Sequence, residues 1–182
     1  MGSIKGRIAR VRVPAGGIVA LAVVLFAHPT RLSMLSGIAV TLAGEAVRIW
    51  ASGYIRKNTR LATDGPYGYT RNPLYVGNLL IGLGVVIAAG NPWMALLFAL
   101  YYAVCYGATI RCESEVLARL FGDEFERYRT EVPGFFPRLR ATGESGGGFD
   151  RRLIWQNREY RAIAAVVAVY CLIALRSLLR WP

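Results

Sequence analysis

Side chains able to do chemistry gather in a few places along this chain. The longest is Gly65-Pro-Tyr-Gly-Tyr-Thr-Arg-Asn-Pro-Leu-Tyr-Val-Gly77, polar and aromatic, which runs directly into the apolar residues 78–89. Pro73 has no amide hydrogen to donate and suits the first turn of a helix. It also biases Asn72 toward extended backbone, so a helix is expected to begin here. Such a start sets Arg71, Asn72 and Tyr75 beside free N–H groups and the positive end of the helix dipole, a setting for an anionic or electron-rich ligand. A second cluster, Arg111-Cys-Glu-Ser-Glu115, lies where another apolar run ends. Carboxylates at Glu113 and Glu115 can hold ribose hydroxyls or an α-ammonium and leave an arginine for a carboxylate; the plain alternative is a solvated helix face. Glu45 and Arg48 stand three apart inside an apolar stretch, readable as a self-neutralising pair on one helix or as support for a pocket. Asn78 reads as a hydrogen bond to a neighbouring helix. Gly82-Leu-Gly84 reads as close helix packing or as backbone left open to a flat ligand.

The elements that must position these residues are helices in a membrane. With 182 residues, 54% of them hydrophobic, and twice as many basic as acidic side chains, the chain is too apolar for an ordinary soluble domain. Its net charge of +11 flanks apolar runs and forms no single stripe, which excludes a nucleic-acid partner. Cys105, Cys112 and Cys171 are few and sit mostly in apolar segments, and His28 stands alone in a His-Pro-Thr-Arg turn. Neither a disulfide framework nor a metal site is expected.

Basic residues Lys5, Arg7, Arg10 and Arg12 precede the apolar stretch 13–27. No small-residue cleavage site follows it, so a first transmembrane helix is expected in place of a signal peptide. Further spans are expected at 32–55, 74–89, 93–110 and 163–179. Residues 111–131 alternate charged and apolar positions at helical spacing, an amphipathic segment broken near Gly122. Val132-Pro-Gly-Phe-Phe-Pro137 forms a rigid apolar turn fit to cover a pocket, 141–148 a flexible linker, and 150–161 a basic interfacial helix. Lysine and arginine bias places the N-terminus, the 56–71 loop and the 111–161 region on the cytoplasmic side. The fold class is therefore all-α: an integral membrane bundle of about five transmembrane helices with a cytoplasmic pocket. It divides into an N-terminal helical hairpin (1–57), a core (58–137) and a linker with C-terminal helices (141–182).

Taken in order, Arg48-x-Trp50-Ala51, the Gly65–Gly77 motif, Gly82-x-Gly84, Glu113-x-x-x-Leu117-x-x-x-Phe121-Gly122 and Tyr128 before Val132-Pro133 resemble the isoprenylcysteine carboxyl methyltransferase and phospholipid methyltransferase superfamily of integral membrane enzymes. The resemblance covers about residues 48–137 and makes the 58–137 core the catalytic part. It implies S-adenosyl-L-methionine as cofactor, leaving S-adenosyl-L-homocysteine, and a lipophilic, lipid or prenylated acceptor taken from the bilayer. Carried over by position, the cofactor contacts are Thr59, Arg60, Leu61, Ala62, Tyr67, Asn72, Pro73, Leu74, Tyr75, Gly82, Gly84, Glu113 and Glu115. Arg71, Arg111 and Glu113 are the catalytic candidates. The chain departs from the pattern in three places. Asn72 stands where histidine is common, and Ser114 splits a usual glutamate pair. Thr109 stands where a substrate-side arginine is usual, with Arg111 as the candidate replacement. A sterol-reductase-like membrane oxidoreductase and a non-catalytic scaffold are the competing classes.

Overall fold

Caps and prolines decide where each helix starts. The computed structural model describes residues 4–56, 59–141 and 148–179, with side chains from Val11 onward. Among these residues it is all helical: α1 (Ile4–Leu25), α2 (Arg31–Ser52), a 3-10 turn (Gly65–Gly68), α3 (Pro73–Ala89), α4 (Pro92–Phe121), α5 (Asp123–Glu131), α6 (Arg151–Gln156) and α7 (Glu159–Leu179). The expected linker over 142–147, Lys57, and the closing Arg180-Trp181-Pro182 lie outside the described residues. At the start of α2, Thr30 and Ser33 cap each other reciprocally, the Thr30 hydroxyl accepting from Ser33 N at 3.0 Å and the Ser33 hydroxyl from Thr30 N at 2.9 Å. Pro73 opens α3 as expected, and Gly90, at φ 65°, closes it in the left-handed region where a side chain would be strained. Asn91 then caps α4 by accepting from Trp93 N at 3.0 Å, while its own amide donates to Phe26 O at 2.8 Å and ties the hairpin to the end of α1.

Among the described residues three helices, α2, α4 and α7, are long and apolar enough to cross a membrane; the apolar stretches Val11–Leu25 and Pro73–Ala89 are shorter. Leu32, Leu35, Leu96, Leu100 and Leu178 all face outward, as lipid-facing side chains do. Several boundaries differ from expectation: α1 starts at Ile4 and not near Val13, and α2 ends at Ser52 and not near Ile55. α4 does not stop near Ile110 but continues to Phe121, because no proline or glycine interrupts residues 111–121 until Gly122 takes φ 49°. α7 begins at Glu159, so the expected interfacial helix is only α6. The break comes at Asn157-Arg158, where Arg158 takes φ 59° and the Asn157 amide donates to Ser52 O and Ile55 O at 3.1 and 3.3 Å.

Consecutive helices are not always packing partners. α2 lies mainly along α3, and α1 lies mainly along α4. The α2–α3 contact is backbone against backbone: a Cβ at Gly37 would stand 2.4 Å from Gly84 O, and one at Gly44 2.8 Å from Gly77 O. Lipid tails are as apolar as leucine, so burial alone does not drive helices together in a bilayer and close approach of this kind does. Outside the spans, ordinary apolar burial takes over. Leu61, Phe125, Tyr128 and Val132 form a separate small core that fastens α5 to the loop before α3, each contributing roughly 1.5–3 kcal/mol.

Candidate active site

The Gly65–Asn72 loop is laced to residues 128–138. Arg71 N donates to Pro133 O at 2.9 Å, Thr70 Oγ1 to Phe135 O at 2.9 Å, Asn72 Nδ2 to Gly134 O at 2.6 Å, and Arg138 N to Tyr69 O at 3.0 Å. Tyr128 Oη adds a bond to Tyr67 O at 2.8 Å. The rigid Val132–Pro137 turn therefore covers the loop, and Asn72 spends its amide on that cover. Arg71 lies under it: a Cβ on Gly134 would come within 3.0 Å of Nη2, and Nε is buried with no hydrogen-bond partner among the described residues. Desolvation, reinforced by the neighbouring Arg129, holds its pKa below the usual guanidinium range.

At the first turn of α3 the loop delivers Tyr75, only 8% exposed, to α4 and α1. Its hydroxyl donates to Glu113 Oε1 and accepts from Arg12 Nη1 at 3.1 Å, so one phenol bridges a carboxylate and a guanidinium. Arg12 also stands over the Tyr75 and Tyr106 rings, 5.6 and 5.5 Å from their centres. Tyr102 stacks on Tyr106 at 4.3 Å and fixes α3 by donating to Tyr75 O at 2.5 Å. Tyr102, Tyr106, Thr109 and Glu113 follow one another at three- and four-residue steps, which makes them a single face of α4.

Nearby, Tyr67 is buried and its hydroxyl has no hydrogen-bond partner among the described residues. Burial first, then the neighbouring Tyr128 and the Glu113 charge, push its pKa well above the usual phenol value, so it stays a neutral donor. Arg60, Leu61, Ala62 and Asp64 line a cavity of about 20 Å³ with Tyr54, while Arg60 Nη2 holds Asp64 Oδ2 at 3.0 Å. Thr59 is exposed beside them. Pro73 is buried and Leu74 partly so, both within the first turn of α3.

Other expected site residues go elsewhere. Arg111 and Glu115 are each two positions from Glu113, about 200° around the helix, so both are directed away from Tyr75. A Cβ at Gly82 would strike the Phe98 ring at 2.1 Å, and Gly84 meets Thr41 and Gly37 of α2. Protein fills the space in front of both glycines, which is the close-packing alternative. Glu45 and Arg48 do not form the expected pair either. Arg48 reaches across to Glu159 of α7, with Nη2 at 2.6 Å and Nε at 3.2 Å, and donates to Asn78 Oδ1 of α3. Both Glu45 carboxylate oxygens are buried without a hydrogen-bond partner among the described residues. Sequence reasoning missed Arg12, Tyr102, Tyr106 and Glu159. The four-residue step from Tyr102 to Tyr106 was a usable signal; nothing in the sequence singled Arg12 out from the other basic residues before the first apolar run. Among the described residues, no three histidines, cysteines or carboxylates are grouped to hold a metal ion.

A family model described as phospholipid methyltransferase matches residues 17–124. The chain belongs to that family. This phospholipid methyltransferase family match includes Tyr75 and Glu113 but stops short of Arg12 on one side and of the covering turn on the other. A nickel-cobalt-cadmium resistance protein of Alcaligenes xylosoxydans xylosoxydans is 44% identical over 96 residues, 50% of this chain and 44% of that protein. A cobalt-zinc-cadmium resistance protein of Cupriavidus metallidurans is 43% identical over 117 residues, 63% of this chain and 52% of that protein. A protein-S-isoprenylcysteine O-methyltransferase of Schizosaccharomyces pombe is 35% identical over 99 residues, 54% of this chain and 42% of that protein. The chain thus spans about half the length of the curated relatives it matches. No solved structure matches it.

Proposed function

We propose that this family member is an S-adenosyl-L-methionine-dependent methyltransferase working at the cytoplasmic face of a membrane on a lipophilic acceptor, such as an isoprenylcysteine carboxylate or a lipid headgroup. The reading is carried by the Tyr75–Glu113 bridge, which joins the first turn of α3 to α4, together with a buried Tyr67 hydroxyl left without a partner among the described residues. An unpartnered buried hydroxyl and a carboxylate at one site suit a ligand that brings its own hydroxyl and ammonium groups. Residues 58–137 supply most of that site; 1–57 add Arg12, and the helices of 1–57 and 141–182 brace it.

In this reading Glu113 accepts hydrogen bonds from ribose hydroxyls or the α-ammonium, Tyr67 donates to the same ligand, and Leu61 and Ala62 offer the base an apolar seat. Asn72, Pro73 and Leu74 form the wall continuous with Tyr75. The cofactor, when bound, supplies a methyl group on a cationic sulfur. What the protein adds is alignment and exclusion of water, because a carboxylate acceptor has no proton to lose and needs no general base. The Val132–Pro137 cover serves that exclusion. Among relatives, the protein-S-isoprenylcysteine O-methyltransferase supports a prenylated acceptor. A metal is not part of this reading, although two relatives are metal-resistance proteins: among the described residues no three histidines, cysteines or carboxylates group to hold one.

Calorimetric titration of the folded, detergent-purified chain with S-adenosyl-L-methionine and with S-adenosyl-L-homocysteine tests the proposal. Saturable binding in the micromolar range, on the order of −8 kcal/mol, is expected. No saturable binding, or binding of a reduced nicotinamide nucleotide in its stead, would overturn it.

A further inference from the structure

Arg12 occupies a position that the described residues around it do not explain. It comes from α1, outside the segment that matches the family, yet its guanidinium sits in the middle of the site. Its backbone is fixed there as well, since the Tyr101 hydroxyl donates to Arg12 O at 3.0 Å and pins this turn of α1 to α4. Among the described residues no carboxylate lies within ion-pair distance of it; Glu113 is held one phenol away by Tyr75. A guanidinium presents five N–H donors in a planar fork that matches a carboxylate. Half-buried against two aromatic faces at the end of a membrane bundle, it is a costly charge that meets the Glu113 carboxylate only through the Tyr75 hydroxyl. The site face of α4 offers no other cation: Thr109, one turn before Glu113, turns its hydroxyl back to Cys105 O at 2.7 Å, and Arg111 leaves from the opposite side.

We propose that Arg12 binds a carboxylate within the active site, that of the methyl acceptor or that of the cofactor's amino-acid end. The proposal rests on the methyltransferase reading above. The fork takes both carboxylate oxygens, and Tyr75 keeps that anion apart from Glu113. Where the carboxylate belongs to the acceptor, one of its oxygen lone pairs forms the new O–CH3 bond as the S–CH3 bond breaks, with that electron pair staying on sulfur. The negative carboxylate and positive sulfonium become a neutral ester and a neutral thioether, and no proton moves. Arg12 then holds the uncharged product less tightly than the substrate, which favours release.

The test uses the full chain and its Arg12→Gln and Arg12→Lys variants. One arm measures affinity for S-adenosyl-L-homocysteine by calorimetry; the other measures KM for an N-acyl S-prenyl cysteine carrying a free carboxylate. Arg12→Gln is expected to lose tenfold or more in one arm, with Arg12→Lys recovering part of the loss. A loss in S-adenosyl-L-homocysteine affinity assigns the cofactor's carboxylate, and a loss in KM alone assigns the acceptor's. Values within twofold of wild type in both arms, read on Arg12→Lys if the glutamine variant does not fold, overturn the role of Arg12 and leave the methyltransferase reading intact. Failure of the wild-type chain to bind either nucleoside overturns both.

Discussion

Arg48 of α2 and Glu159 at the start of α7 form an ion pair of 2.6 Å across 111 residues of sequence, with Arg48 also donating to Asn78 of α3. One guanidinium thereby ties three helices together. Glu159 is 5% exposed and stands in the first turn of its helix, where the dipole favours a carboxylate. Removing one partner of such a pair strands the other in an apolar setting. Arg48→Leu or Glu159→Leu is therefore expected to lower stability by about 3–5 kcal/mol, and the double replacement by less than the sum. Additive losses in detergent unfolding experiments would show that the pair is not coupled.

Glu45, three residues from Arg48, gives the opposite expectation. It is 8% exposed and neither oxygen has a hydrogen-bond partner among the described residues, so its charge is a burden to the fold. Glu45→Gln should leave the unfolding temperature unchanged or raise it. A fall as large as that of Glu159→Leu would mean that Glu45 has a binding partner in the working protein.

Glu113→Gln keeps the Tyr75 hydrogen bond but removes the charge. If Glu113 accepts from the cofactor, the affinity for S-adenosyl-L-homocysteine should weaken by about 1.5–3 kcal/mol. Tyr75→Phe frees Glu113 and Arg12 to approach each other, and turnover should fall more than affinity does. Unchanged affinity in Glu113→Gln would return this carboxylate to a solvated helix face.

The α2–α3 contact should tolerate no added bulk. Gly84→Val directs methyl groups at Gly37 O and Thr41, where even a Cβ would lie 2.5 and 2.2 Å away. A loss of roughly 1–3 kcal/mol or more is expected from overpacking. Gly107→Val, where a Cβ meets nothing within 4 Å, is the control and should be near neutral. Equal effects at the two positions would contradict the packing described.

Asn72→Ala removes one rung between the motif loop and its cover, and should loosen the 132–138 turn to protease at a cost of about 1 kcal/mol. Arg71→Ala tests whether the half-buried arginine beneath that turn serves turnover or only the clasp. A drop in methyl transfer much larger than the drop in unfolding temperature would keep Arg71 in the active site; a matched drop would make it a residue of the cover.

Much of the design is open to a reader of the linear chain. The apolar runs, Pro73, and the Asn91-Pro92 turn mark helices and their starts from local chemistry alone, because caps and prolines act on their immediate neighbours. The Gly65–Gly77 motif and Glu113 also stand out, since their residue types are out of place in apolar surroundings, and Tyr75 does meet Glu113. Helical rotation is local too, so the divergence of Arg111 and Glu115 from Glu113 follows once α4 is known to continue past Ile110. What local chemistry cannot show is which helix lies beside which. Glu45 is the near neighbour of Arg48 in sequence, but the stronger partner arrives from α7, because a buried guanidinium is satisfied by whichever carboxylate the packing presents at hydrogen-bond distance. Arg12 is one basic residue among several until α1 settles along α4 and carries it over two tyrosine rings. Gly82 and Gly84 suit a ligand or a helix equally well in sequence, and only the placement of α2 and Phe98 gave that space to the protein.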